Sequence, residues 1–320
     1  MPTAAPPVRP ITLDDIRAAR ERIRGVITRT PLVRLRHDVA GAPEIWLKLE
    51  NLQPINAFKL RGAANAVALL SDEARDKGVW TISAGNAGQG VAYAAREAGV
   101  PCTVVVIETA PDTKVERMRA LGATLVKAPF DACWQAMEER AFPGVEGTFV
   151  HPFDDHDFIA GNATIGLEIL EDLPHVRTVI TAIGGGGLIT GVASAIRAMA
   201  PGVRVLGAEP ETAAPGATSF AAGSAQVFEK WQASFVDGAG GKSIFPRMWE
   251  RLKDTIDGSV VVTLDEVKTA MRIVASKSRV IAEGAGALGV AAALKEKEGP
   301  VVAVVSGGNI DLKKFCEIVT

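Results

Sequence analysis

Residues 178–200 read TVITAIGGGGLITGVASAIRAMA, an apolar β-branched run, four consecutive glycines and a helix-forming stretch. A strand that passes through glycine into a helix opens a βαβ unit, so the chain is expected to build a mostly parallel sheet. The same stretch predicts an anion site, because backbone N–H groups at the helix start point beyond the carboxyl end of the strand. A dinucleotide would ask for glycines spaced as GxGxxG and an acidic residue about 20 positions on. The run meets that spacing only loosely, with Gly187 as third glycine, and Glu209 is not at the expected place. Four contiguous glycines suit a tight cradle around one phosphate better, although this motif alone leaves a nucleotide-binding dehydrogenase open.

Outward from it, β-branched runs alternate with helical patterns along the chain. Strands are expected at 45–49, 79–83, 103–107, 124–127, 178–183, 203–208 and 301–306. Helices are expected at 62–70, 88–98, 113–121, 131–141, 157–170, 187–200, 264–276 and 285–295. Thr12 followed by Leu13, Asp14 and Asp15 puts a capping hydroxyl ahead of acidic first-turn residues, and Ile16, Ala19, Ile23 and Val26 recur at helical spacing. The block 78–150 reads as a small α/β domain inserted into a larger one formed by 1–77 and 151–320. The loose stretch 213–223 reads as a surface loop, and after Asn309 there is room for about one short helix. No C-terminal regulatory domain is expected.

The chain has 320 residues, 48% of them hydrophobic and 22% charged, which suits a soluble globular protein with a well-buried core. With 35 basic and 37 acidic residues, a net charge of −2 and no basic run, it carries no electrostatic footprint for nucleic acid or anionic membrane. A small molecule is the expected partner. Cys102, Cys133 and Cys316 are odd in number and far apart, which fits neither a disulfide framework nor paired metal ligands and predicts a reducing cytoplasm. The lead MPTAAPP lacks a secretory core and reads as a loose tail, and no apolar run approaches the roughly 20 residues of a membrane span.

Three segments far apart in the chain supply complementary chemistry. Lys59, in NAFKLRGA at 56–63, offers an amine able to form a Schiff base with pyridoxal phosphate. Alone it would be a surface lysine. The amides of Gly184, Gly185, Gly186 and Gly187 can hold the phosphate, and Ser306, at the end of the strand before Gly307 and Gly308, offers a hydroxyl to the ring nitrogen. A serine there leaves the ring largely unprotonated, which limits it as an electron sink and suits β-elimination. A second strand-to-helix turn, Ser83, Ala84, Gly85, Asn86 and Ala87, suits a substrate carboxylate, with the Asn86 amide free to donate to a phenolate oxygen.

With these residues assembled, the chain resembles the serine/threonine dehydratase and serine racemase family of fold type II pyridoxal phosphate enzymes, which are tryptophan synthase β-like. The matching segments are collinear: NAFKLRGA at 56–63, SAGNAGQGVA at 83–92, TAPDTK at 109–114, HPFDD at 151–155, IAGNATIGLEI at 159–169, GGGGL at 184–188, GAEP at 207–210, EGAGALGVAA at 283–292 and SGGNID at 306–311. The resemblance implies two open, mostly parallel α/β sheets in a large and a small domain, and a homodimer. It implies that Lys59 is the Schiff-base lysine and general base, that Phe58 packs near the cofactor ring, and that Asn86 binds its phenolic oxygen. Gly184 to Gly187 with Leu188 would bind phosphate, Gly238 would let the backbone pass beside the cofactor, Glu283 would lie near the site, and Ser306 would meet the pyridine nitrogen. The expected reaction is dehydration and deamination of a 3-hydroxy amino acid to a 2-oxo acid and ammonia, with β-replacement as the alternative.

Departures from the family pattern sharpen this expectation. Related racemases have a serine where this chain has Ala84, so efficient racemisation is not expected. Ala57 and Ala87 replace polar residues and Phe153 follows His-Pro where a polar side chain is common, which predicts a roomier, more apolar pocket and a bulkier substrate side chain. Some relatives bind a divalent cation at the glutamate of GAEP; Glu209 is its counterpart, but Pro215 falls where the second carboxylate is expected and Glu211 is the only substitute, so a solvated glutamate pair is expected, with a cation at Glu209 as the alternative.

Overall fold

The computed structural model describes residues 6–110 and 112–320; the first residues of the proline-rich lead and Pro111 of the 109–114 segment lie outside the described residues. The described strands are β1 (Leu32–Arg34), β2 (Ile45–Lys48), β3 (Val79–Ile82), β4 (Cys102–Ile107), β5 (Thr124–Ala128), β6 (Thr148–Phe149), β7 (Thr178–Ala182), β8 (Arg204–Pro210), β9 (Ser259–Val262) and β10 (Val301–Val304). They form a six-stranded sheet in the order β1-β2-β10-β7-β8-β9 and a four-stranded sheet in the order β5-β4-β3-β6. Only the β1–β2 pair is antiparallel among them. This is the two-sheet fold type II architecture.

The central strands β7 and β10 are buried on both faces, in keeping with their largely apolar, β-branched sequences. Alternate residues of β7 and β10 feed opposite cores: Val179, Val302 and Val304 pack with Ile159 and Ile189, while Ile180, Val301 and Ala303 pack with Leu288 and Val290. Helices His156–Asp172 and Gly187–Met199 cover one face, and Leu264–Ser278 and Gly284–Ala293 the other. In the smaller sheet, Val104 and Val106 turn to one core and Val105 to the other.

Three strands have no counterpart in the sequence expectation: β1, β6 and β9. All three are edge strands of two to four residues and are partly exposed, so they lack the long apolar run that marks a buried strand. The first helix starts where expected, at Leu13–Ile23, with Thr12 Oγ1 accepting from Asp15 N at 3.1 Å and the Asp15 carboxylate accepting from Thr12 N at 3.0 Å.

The stretch 213–223 is a correction: it holds a helix, Pro215–Ala222, rather than a surface loop. Pro215 occupies the first turn, where its missing N–H costs nothing. The buried Glu209 carboxylate caps the same turn, accepting from Gly216 N and Ala217 N at 2.7 Å each. Composition had hidden a helix whose cap comes from another element.

Candidate active site

The carboxyl ends of strands from both sheets converge on one cleft of about 610 Å³, lined by Ser83 after β3, Ile107 at the end of β4, Gly184 after β7 and Ser306 after β10. Every residue expected to hold cofactor or substrate lines it: Phe58, Lys59, Ser83 through Ala87, Gly184 through Leu188, Gly238, Glu283 and Ser306. A second hollow, about 470 Å³ and bordered by Arg177, Pro201, Arg204 and Glu298, sits at the amino ends of β7 and β8, away from all of them.

Lys59 is the first residue of helix Lys59–Ala68. Its Nζ donates to the carbonyl of Pro152 at 2.5 Å and lies 5.1 and 5.4 Å from the rings of Phe58 and Phe158. The side chain keeps some accessible surface because it faces the cleft, yet protein surrounds it closely. Burial therefore brings its pKa down to about 8.

Beneath it lies a network that sequence reading missed. Arg61 is fully buried two residues along the same helix and clamps two carboxylates. Its Nε and Nη2 donate to Glu50 at 2.8 Å each, and Nη1 and Nη2 donate to Glu168 at 2.7 and 2.8 Å. Lys48, also fully buried, completes a balanced set of two cations and two anions through Glu168 at 2.5 Å. Burial pushes the Glu50 carboxyl up, but Arg61 and Lys48 outweigh it and hold the group below its ordinary range. Nothing in the local sequence around Arg61 marks it as buried; its partners lie 11 and 107 residues away.

The glycine run turns directly from β7 into helix Gly187–Met199, with Gly186 as the cap at φ +89°, a conformation that glycine adopts without strain. The first helical bond is Thr190 N to Gly186 O at 3.0 Å, so the preceding amides are the open donors of a helix start. A Cβ at Gly185 would lie 2.3 Å from the Phe153 ring, which places that ring against the cradle.

On another side of the cleft, Asn86 opens helix Asn86–Glu97 and its Nδ2 donates to Glu283 Oε1 at 2.7 Å. Asn309 Nδ2 donates to Asn86 Oδ1 at 2.8 Å and to Ile55 O at 2.8 Å, fixing which way the Asn86 amide faces. Arg117 Nη1 in turn donates to Asn309 Oδ1 at 2.8 Å. Ser306 is 5% exposed, with Oγ 3.4 Å from Ala285 O. Asn309, Arg117 and the buried His151 are cleft or near-cleft residues that sequence reading did not assign. His151 Nδ1 accepts from Phe153 N and Asp154 N at 3.3 and 3.0 Å; burial and the charges of Arg140, Lys59 and Arg247 keep its imidazole well below its ordinary pKa.

An amine at Lys59, an amide cradle at 184–188 and a serine hydroxyl opening on one cleft are the donors that pyridoxal phosphate requires, and the residues fit it. The Pyridoxal-phosphate dependent enzyme family model matches residues 23–307. The chain belongs to that family. Within this pyridoxal-phosphate dependent family, the L-threonine ammonia-lyase of Thermotoga maritima is 42% identical over 316 residues, 97% of this chain and 78% of that protein. The processed form of threonine deaminase isoform 2 from Solanum lycopersicum superposes with a TM-score of 0.84 at 31% identity, covering 98% of this chain and 98% of that one. The serine racemase of Dictyostelium discoideum gives a TM-score of 0.84 at 34% identity, covering 94% of this chain and 99% of that one. The dehydrogenase reading of the glycine run falls with the family match.

Two finer expectations change. Ala57 is fully buried in the core with Leu60 and Val91, and its backbone pairs with Gly307, so it adds no room to the cleft; Ala87 does line it. Glu209 does not fit a cation site: besides the two amides of Pro215–Ala222 it accepts from Ser259 Oγ at 2.6 Å, and Glu211 accepts instead from Leu264 N at 2.8 Å. Among the described residues no three His, Cys, Asp or Glu side chains are grouped to hold a metal ion, and no helix is long and apolar enough to cross a membrane.

Proposed function

We propose that the protein is an ammonia-lyase that uses pyridoxal phosphate to eliminate the hydroxyl of a 3-hydroxy amino acid, yielding a 2-oxo acid and ammonia. The observation that carries this reading is the desolvated Lys59 amine, with a pKa of about 8, in the same cleft as the glycine cradle and Ser306. Pyridoxal phosphate, when bound, supplies the electron sink that acidifies the substrate Cα–H bond.

The residues divide the remaining work. Gly184 to Leu188 hold the phosphate through open amides, Ser306 faces the pyridine nitrogen, and Asn86, oriented by Asn309, addresses the phenolic oxygen. Phe58, Gly238 and Glu283 bound the ring. Amides of the Ser83 to Ala87 turn fix the substrate carboxylate. Lys59 Nζ, near neutrality, accepts the Cα proton, and the water lost with the hydroxyl is returned on hydrolysis. Segment 78–150, which carries the four-stranded sheet, acts as a small domain that closes over the cleft and excludes water. Ala84 leaves no side-chain acid to return a proton to the other face of Cα, which favours elimination over racemisation. The three free cysteines suit a reducing cytoplasmic setting, and the family resemblance suits a homodimer.

The test is a visible spectrum of purified protein before and after borohydride, with mass mapping of the adduct, followed by an oxo-acid assay on a panel of 3-hydroxy amino acids. A cofactor adduct on a peptide lacking Lys59 would reject the assignment.

A further inference from the structure

The wall of the cleft formed by the small sheet's helix carries a pattern that recognition of serine or threonine does not need. Helix Phe130–Glu139 places Phe130, Cys133, Trp134 and Met137 at i, i+3, i+4 and i+7, so one helical face looks into the cleft, and all four line it. Cys133 and Met137 also pack with the core of the smaller sheet, yet Phe130 is 56% exposed. Its ring stacks with that of Trp134 at 6.2 Å and 18°. Trp134 meets Phe245 edge-on at 5.2 Å, and Phe245 meets Phe153 at 5.2 Å. Phe153 lies against Gly185. An aromatic array thus runs from the glycine cradle to the cleft mouth.

We propose that this array is a binding subsite for an aromatic ring on C3 of the substrate, so that the preferred substrates are 3-aryl-3-hydroxy amino acids. The inference rests on the lyase reading above. Aromatic rings favour stacked and edge-to-face neighbours at these separations, and exposed apolar surface within a cleft marks a ligand groove. A methyl or hydrogen on C3 would leave Phe130 and Trp134 in contact with water.

The cofactor-loaded enzyme should be assayed for oxo-acid release from L-threo-3-phenylserine, L-threonine and L-serine, with Trp134→Ala and Phe130→Ser beside wild type. Wild type is expected to favour phenylserine over threonine in kcat/KM by about tenfold or more, and each variant should cut that preference by about tenfold. Phe130→Ser removes an exposed side chain and tests the subsite even if Trp134→Ala fails to fold. In a second measurement, L-phenylalanine should perturb the cofactor absorption band at lower concentration than L-alanine does, with the difference lost in the variants. Preference for threonine, or equal half-saturation by phenylalanine and alanine, overturns the subsite and leaves the lyase reading standing. No oxo acid from any of the three substrates overturns both.

Discussion

The backbone N–H of Phe58 donates to the carbonyl of Ser306 at 3.0 Å. Gly308 N donates back to Asn56 O at 2.9 Å, and Ala57 and Gly307 form the bridge between these bonds. The Lys59 amine and the Ser306 hydroxyl are therefore set by one short antiparallel pairing between segments some 250 residues apart. The backbone of both segments is thus held in register where their side chains enter the cleft, which is how a site positions its groups on a rigid frame.

Lys59→Ala is expected to lower oxo-acid release by about 10³-fold or more, the loss of both covalent anchor and general base. Borohydride should then fix no cofactor to the peptide, while far-ultraviolet circular dichroism stays unchanged, because Lys59 has no part in the buried ion network.

The depressed pKa of Lys59 predicts that capture of pyridoxal phosphate by cofactor-free protein, followed by stopped-flow absorbance, speeds up with pH through an inflection near 8 rather than near 10.5. The stability sign follows from proton linkage. Between these two values the unfolded chain binds the proton and the folded chain does not, so folding gains stability as pH rises through that window. Lys59→Met should be the more stable protein at pH 7, and its advantage should narrow by about 1–3 kcal/mol above pH 8, allowing for the accessible part of the side chain. A gap independent of pH would count against a buried amine.

Glu168→Ala leaves Arg61 and Lys48 buried with one carboxylate between them. A loss of about 3–5 kcal/mol in urea unfolding is expected. Glu73→Ala, which removes the exposed partner of Lys77, should cost less than about 0.5 kcal/mol. Because Glu50 is held below its ordinary value, its share of the network's stability is complete above about pH 4.5 and is lost as pH falls through its lowered pKa. Similar losses for Glu168→Ala and Glu73→Ala would show that the network is not stabilising in this sense.

Ala84 lines the cleft with a bare methyl. Ala84→Ser is expected to introduce slow racemisation of L-serine, read by chiral chromatography as D-serine carrying deuterium at Cα when the reaction is run in deuterium oxide. Unchanged enantiomeric purity with exchange at Cα intact would mean that the introduced hydroxyl cannot reach the opposite face.

The sequence by itself determined the sheet cores, the strand-to-helix turns and the segments around Lys59, Ser83, Gly184 and Ser306 that meet at the cleft, because each is written locally. Two-sided apolar runs specify buried parallel strands, as in β7 and β10, and glycine between strand and helix specifies an open anion cradle. What only the tertiary structure decided depends on partners distant in the chain. Edge strands β1, β6 and β9 exist through their neighbours; helix Pro215–Ala222 exists because Glu209 caps it; and Ala57 faces core rather than cleft because its backbone pairs with Gly307. Arg61 is invisible as a buried ion until Glu50 and Glu168 surround it. A charge can leave water only when opposite charges meet it in three dimensions, and no local pattern of residues records that meeting.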